Sequence, residues 1–292
     1  MLQFFGDRSL GAAVSSFRSQ VSGMGSDNVS EGWEEPERRR EVVCVLVGGA
    51  FDDSYVDRFY GMLRSFAGVP FRLSVVTEKE RKFQSPVEQF VVGRQPYYRD
   101  DMRPTQVKLE LFRGGGWPFD EFLYIDLSSL LTKDLRSIWE FADTRSEPLV
   151  CVNDWKYDTI NTCVMRVRRD AGLACIYEDY ASGKRYDVRF NGDQDYADAS
   201  LKNADRLNLV SLFPTSDIVT YKNLLRQHRF APRKARRAYE SACIVKFGGS
   251  PKPHQVFEAD YWWRHCLRRP HLVLRDRRYL VDDLQKVWTL GA

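Results

Sequence analysis

From Val42 onward the spacing of apolar positions alternates between two periods. Val42 to Val47 is an unbroken apolar run closed by Gly48-Gly49, which predicts a strand covered on both faces, as parallel strands are. Asp52 to Ser54 then offer capping side chains to a helix whose apolar stripe is Tyr55, Val56, Phe59, Met62, Leu63 and Phe66, with Gly68 as its stop. Arg72 to Thr77 reads as the next strand, completing a βαβ unit. Further strands are predicted at Phe122 to Leu127, Leu149 to Asn153, Asn161 to Val167 and Cys243 to Phe247. Between them fall a helix opened by Pro104 and Thr105 that carries Val107, Lys108 and Leu111 to Gly114, and a short helix around Ile138 and Trp139. Asp170 is expected to cap a helix bearing Leu173, Ile176, Tyr177 and Tyr180, another helix to begin near Asp193, and a last one to carry Phe257, Trp262 and Cys266. The expected fold is α/β, a mostly parallel central sheet with helices on both faces, and Val45, Val47, Leu73, Val75, Tyr124, Val150, Val164 and Val245 are expected in its core.

Residues 1–40 break this pattern. They are rich in Ser and Gly and close with the charged run Glu34 to Glu41, so they read as a flexible tail, with one domain over 41–292. The segment has no apolar centre of the secretory kind; Arg8, Arg18 and the serines fit a transit peptide, whereas Asp7 argues against one.

Composition narrows the function classes. With 44 basic and 40 acidic side chains the net charge is only +4, too balanced to argue for a nucleic-acid partner. The basic residues are uneven, however. Arg226, Arg229, Arg233, Lys234, Arg236 and Arg237 form one concentration and Arg264 to Arg278 another. A solvated face is the simplest reading of both; a peripheral contact with an anionic membrane through Arg233 to Arg237 is the sharper one. The six cysteines are scattered without a CxxC pair and mostly lie in apolar segments, which points to reduced core residues and a cytoplasmic setting.

In an open α/β sheet, ligands bind beyond the carboxyl ends of the strands. The residues that terminate the apolar runs are Gly48 and Gly49, Asp126 and Ser128, Asn153 and Asp154, and Lys246 to Gly249. The stretch Phe122-Leu-Tyr-Ile-Asp-Leu-Ser-Ser-Leu-Leu-Thr-Lys-Asp-Leu135 resembles the DxD segment of glycogenin and related family 8 glycosyltransferases. Four more stretches resemble that family in the same order: Thr105-Gln-Val-Lys-Leu-Glu-Leu111, Asn161-Thr-Cys-Val-Met165, Gly192-Asp-Gln-Asp195 and Lys246-Phe-Gly-Gly-Ser-Pro-Lys-Pro253. The pattern, running from about Val42 to Trp263, looks closer still to bacterial glycosyltransferases of the same group, whose fold is GT-A. The resemblance implies a nucleotide-sugar donor, most plausibly a UDP-sugar, and a hexosyl transfer to an acceptor it leaves open. It puts the base near Val47 to Phe51, with Val47, Gly48, Gly49, Lys108, Asp126, Ser128, Lys246, Gly249 and Lys252 on the donor. It also puts Asn161, Asp193 and Gln194 beside the reacting sugar.

Each of these residues has a plainer reading. Asp126 could accept backbone hydrogen bonds at a strand end, Ser128 could cap a turn, Asn161 could satisfy a turn, Asp193 could be a helix N-cap, and Gly248-Gly249 could be a simple turn. Trp262 and Trp263 read as packing rather than as a sugar platform. The sequence also departs from the family. The second DxD carboxylate is Ser128, and Lys246 stands where the family has the histidine of its manganese site. A neutral hydroxyl is a poor ligand and an ammonium has no lone pair, so only Asp126 remains for a weak or absent metal. Three expectations follow: a metal-independent transferase using Lys246, a transferase with a weakly held metal at Asp126, or a catalytically silent nucleotide-sugar-binding or scaffold protein.

Overall fold

The computed structural model describes residues 39–257 and 280–291, all within the unit Arg38–Ala292. Its centre is a sheet of seven strands in the order β3-β2-β1-β4-β7-β6-β8. These are β1 Arg40–Leu46, β2 Phe71–Thr77, β3 Glu88–Val91, β4 Glu121–Ile125, β6 Leu149–Asn153, β7 Ile160–Arg168 and β8 Val210–Leu212. Every neighbouring pair is parallel except the two made by β7, which runs against both β4 and β6. A small second sheet sets β10 Ile244–Lys246 between β5 Ser129–Leu131 and β9 Ile218–Thr220.

The reason β1 reads as a continuous apolar run is visible in the core. Successive side chains of a strand point to opposite faces. Val42, Cys44 and Leu46 pack in one cluster with α1 (Ser54–Phe66), α2 (Arg136–Asp143) and the second sheet. Val43 and Val45 pack in the other, with the segment Pro104–Phe112, α3 (Ala174–Ala181) and α4 (Asp193–Asn203). Both faces are dry, so no polar alternation is needed. The five cysteines among the described residues are free thiols.

Several expectations are corrected. Val47 falls outside β1 and is half-buried, because the chain turns there into Gly48-Gly49 and the side chain borders a cavity instead of the core; the other seven expected core residues are buried. Pro104–Phe112 is a 3₁₀ segment ending before Gly114. Its residues from Gln106 to Phe112 are all buried, so packing on every side, rather than one amphipathic stripe, sets its conformation. Asp170 does not cap α3; its carboxylate accepts from the Gly172 N–H at 2.6 Å, in a turn before the helix starts. The strand expected at Cys243 to Phe247 is only three residues long and belongs to the second sheet. Two helices that no sequence signal suggested follow β9, α5 (Tyr221–Phe230) and α6 (Pro232–Ser241). Trp262 and Cys266 of the expected last helix lie outside the described residues, as do Trp263 and the Arg264 to Arg278 cluster.

Gly68 ends α1 at φ +71°, and a Cβ there would stand 2.1 Å from the Asp134 carboxylate. Gly93 has a similar φ of +69° but open space around it. The left-handed conformation alone costs a non-glycine residue about 1–2 kcal/mol. Gly93→Ala is therefore expected to destabilise the protein by about 1 kcal/mol, and Gly68→Ala by more than twice that, because the clash adds to the strain. Urea denaturation of the two variants side by side checks the difference.

Candidate functional site

The carboxyl ends of β1, β4 and β6, the first residues of β7 and the end of β10 converge on one cavity of about 560 Å³. All twelve residues singled out in the sequence line it: Val47, Gly48, Gly49, Lys108, Asp126, Ser128, Asn161, Asp193, Gln194, Lys246, Gly249 and Lys252. Asp126 follows directly on β4, its backbone N–H held by the Cys163 carbonyl at 2.8 Å. Asp193 is the first residue of α4, and Gly192 rather than Asp193 is the N-cap, so the capping role is not the one Asp193 fills.

At the floor lies a line of alternating charges, Asp193, Lys108, Asp126 and Lys246. Lys108 Nζ is 2.6 Å from Asp193 and 3.3 Å from Asp126. The ammonium also donates to Thr162 Oγ1 at 3.1 Å, and that hydroxyl donates to Asp193 at 2.7 Å. On the other side, Lys246 Nζ donates to the second oxygen of Asp126 and, at 2.6 Å, to Ser128 Oγ. The Tyr124 hydroxyl completes the shell of Asp126 at 2.6 Å. Burial opposes the charge on Asp126, but Lys108 and Lys246 outweigh it and hold the carboxyl well below the usual carboxylate range. Burial likewise works against the Lys108 ammonium, and Asp126 and Asp193 more than offset it, so its pKa rises.

Lys252 is in the opposite situation. It has no ion pair among the described residues and sits 4.9 Å above the Phe51 ring. Burial, with Lys246, Lys222 and Arg103 nearby, lowers its pKa. The loops on this side bend through Gly48 at φ +68° and Gly249 at φ +71°, leaving backbone N–H groups near the cavity without side chains in the way.

On the far wall Asp154 accepts from Asn161 Nδ2 at 2.8 Å and Gln194 Nε2 at 3.1 Å, and from two backbone N–H groups of the Lys156-Tyr157 turn. These donors outweigh its burial and lower its pKa. Holding the NH₂ of Gln194 at Asp154 directs the amide oxygen away from it. Sequence reasoning noted Asp154 only as a strand end and missed Thr162, Tyr124, Arg103, Tyr157, Arg189 and Phe190. Tyr124 was legible, being two residues from Asp126 on the same strand face. The others come from loops or pair across the fold, where spacing carries no signal.

The metal that the resemblance implies does not fit this site. One Asp126 oxygen and the Ser128 hydroxyl are held by the Lys246 ammonium, which donates only and repels a dication, and the other Asp126 oxygen faces Lys108 and Tyr124. Among the described residues, no group of three His, Cys, Asp or Glu side chains could hold a metal ion.

No protein-family description matches the chain, and no curated protein matches it either. Solved structures do. An active-site mutant of LgtC is 14% identical over 80% of this chain and 94% of its own, with a TM-score of 0.51. The bifunctional glycosyltransferase WbbM is 12% identical over 87% of this chain, with a TM-score of 0.52. The glycosyltransferase GlyE of Streptococcus pneumoniae is 13% identical over 85%, with a TM-score of 0.50. The match spans 50% of the WbbM chain and 64% of the GlyE chain. The chain has the α/β GT-A fold, with a mostly parallel central sheet flanked by helices.

Breaking the charge line from its centre has a defined pH signature. Asp126→Asn is expected to cost about 3 kcal/mol, the order seen when one partner of a buried pair is removed. A carboxyl whose folded pKa is depressed stabilises the fold above its unfolded pKa and loses that contribution as pH falls through the folded value. The gap between wild type and variant should thus be constant from neutral pH down to about pH 4 and close in stronger acid. Denaturant titrations across that range measure it.

Proposed function

We propose that the chain is a glycosyltransferase of the glycogenin-like, family 8 type, its transferase unit spanning residues 41–292. It moves a hexosyl group from a nucleotide-sugar, a UDP-sugar by preference, to an acceptor hydroxyl, and it does so without a metal. The observation that carries this reading is the Lys246 ammonium, fixed between Asp126 and Ser128 on the cavity floor, with Lys252 unpaired across from it. The free and mostly buried thiols of the five cysteines among the described residues favour a reducing, cytoplasmic setting.

The chemistry follows from where charge develops. As the bond from the anomeric carbon to the diphosphate breaks, negative charge grows on the leaving oxygens, and fixed cations in a dry site stabilise it. Lys252 contacts the diphosphate directly, and Lys246 faces it from the floor while remaining anchored by Asp126. The N–H groups at Gly248-Gly249 add hydrogen bonds to the phosphates. Asp193, held by Lys108 and Thr162, accepts from sugar hydroxyls. Gln194 turns its amide oxygen toward the positive charge that develops at the anomeric carbon, and Asn161 lies next to it on the shared Asp154.

A second reading has its own observation. The Lys246 charge is already matched by Asp126, and the Asp193 charge by Lys108, which suits a protein that binds a nucleotide-sugar without turning it over.

A thermal-shift panel separates binding from its absence. A UDP-sugar at about a hundred times its Kd should add about 2.7 kcal/mol of stability, equally with chelator and with manganese. No shift with any nucleotide-sugar would sink both readings. For turnover, Lys246→Ala should lower kcat about a hundredfold, as loss of one transition-state donor does, and wild-type activity should survive chelation. Ser128→Asp combined with Lys246→His should create manganese dependence. Wild-type activity that is lost to chelator and restored by manganese would refute the lysine mechanism, and binding without turnover would establish the silent reading.

A further inference from the structure

Helices α5 and α6 pack against each other across the single residue Ala231. Between Tyr221 and Ser241 lie seven basic residues and one acidic residue. That is a larger net positive charge than the +4 of the entire chain, so the remainder of the protein is net negative. Arg236 spends its charge on Glu240 and Asp283, at 2.7 Å each. Arg233, Lys234 and Arg237 are exposed, make no ion pair among the described residues, and surround an open hollow with Ala231 and Pro232. They share one face of α6, at spacings of three and four residues, and Ala235 is buried on the other.

Where the two helices meet, Phe230 is 85% exposed, by a wide margin the most exposed of the large apolar side chains among the described residues. A phenyl ring in water beside a cationic patch is unfavourable in the isolated protein. It becomes favourable where an apolar layer lies directly beneath a layer of negative charge. An anionic lipid bilayer has that order: phosphate headgroups for the cations, acyl chains a few ångströms deeper for the ring. A duplex nucleic-acid backbone would satisfy the cations and leave Phe230 in water.

We infer that the α5–α6 tip docks on an anionic membrane surface, with Phe230 inserted at the headgroup boundary and Arg233, Lys234 and Arg237 on lipid phosphates. This is a peripheral contact; among the described residues no helix is long and apolar enough to cross a membrane. It also orients the cavity. Tyr221, at the opposite end of α5, stacks on Phe247 with ring centroids 4.7 Å apart, and Phe247 lines the cavity. A ten-residue helix is about 15 Å long, so docking holds the cavity about one helix length from the bilayer. The docking itself does not depend on the transferase reading.

Vesicle co-sedimentation of the full chain tests it. Binding is expected to vesicles of phosphatidylcholine mixed with phosphatidylglycerol, not to phosphatidylcholine alone, with release in high salt. The combined Arg233→Ala, Lys234→Ala and Arg237→Ala variant should bind on the order of a hundredfold more weakly, at about fivefold per cation. Phe230→Ala should bind about tenfold more weakly. Both variants should keep the wild-type thermal response to nucleoside diphosphates, so loss of docking is read separately from loss of donor binding. The inference is overturned if wild type ignores anionic vesicles, if either variant binds them like wild type, or if high salt leaves the protein on them. It is overturned equally if the patch binds duplex nucleic acid instead, with Phe230→Ala unaltered.

Discussion

The ion line from Asp193 through Lys108 and Asp126 to Lys246 is the interaction on which the rest of the site depends. It joins four separate pieces of chain: the start of α4, the 3₁₀ segment, the end of β4 and the end of β10. Lys108 is only 6% exposed at its side chain, so its charge is tolerable solely because two carboxylates flank it. Each charge has a neighbour of opposite sign, and removing either inner member, Lys108 or Asp126, leaves the charge at one end of the line without one. The arrangement thereby fixes the distance between the two sheets at the place where the cavity opens.

The same line explains the chemistry left to the cavity. Its inner charges cancel, so the floor is ordered but nearly neutral, and the unpaired positive charge is concentrated at the rim with Lys252 and Arg103. A dication in this place would have to displace an ammonium that Asp126 and Ser128 already hold. The floor of the cavity is built around a fixed organic cation.

The two sheets divide the work. The seven-stranded sheet supplies rigid strand ends, because both its faces are packed and a shift of register would disrupt the packing on both at once. The three-stranded sheet, whose strands are three residues each, is held by its neighbours more than by itself, and it brings Lys246 to the cavity. Beyond it, α5 and α6 carry a concentration of basic residues.

Much of this was written in local patterns. The apolar run of β1, the capped stripe of α1 and the Tyr124-x-Asp126 strand end announce a parallel sheet with polar residues at its carboxyl edge, because strand burial and helix periodicity are properties of neighbouring residues. The twelve candidate residues, found by their order along the chain, all reach one cavity. Short-range pattern could not supply β5, β8 and β9, whose three residues are too few to show a period, nor the 3₁₀ form of Pro104–Phe112, which packing on all sides imposes. Nor could it show that Lys246 would meet Asp126, 120 residues away. Only the tertiary structure decides such a pairing, because the energy of a buried charge depends on which opposite charge the folded chain places beside it and not on any residue near it in sequence.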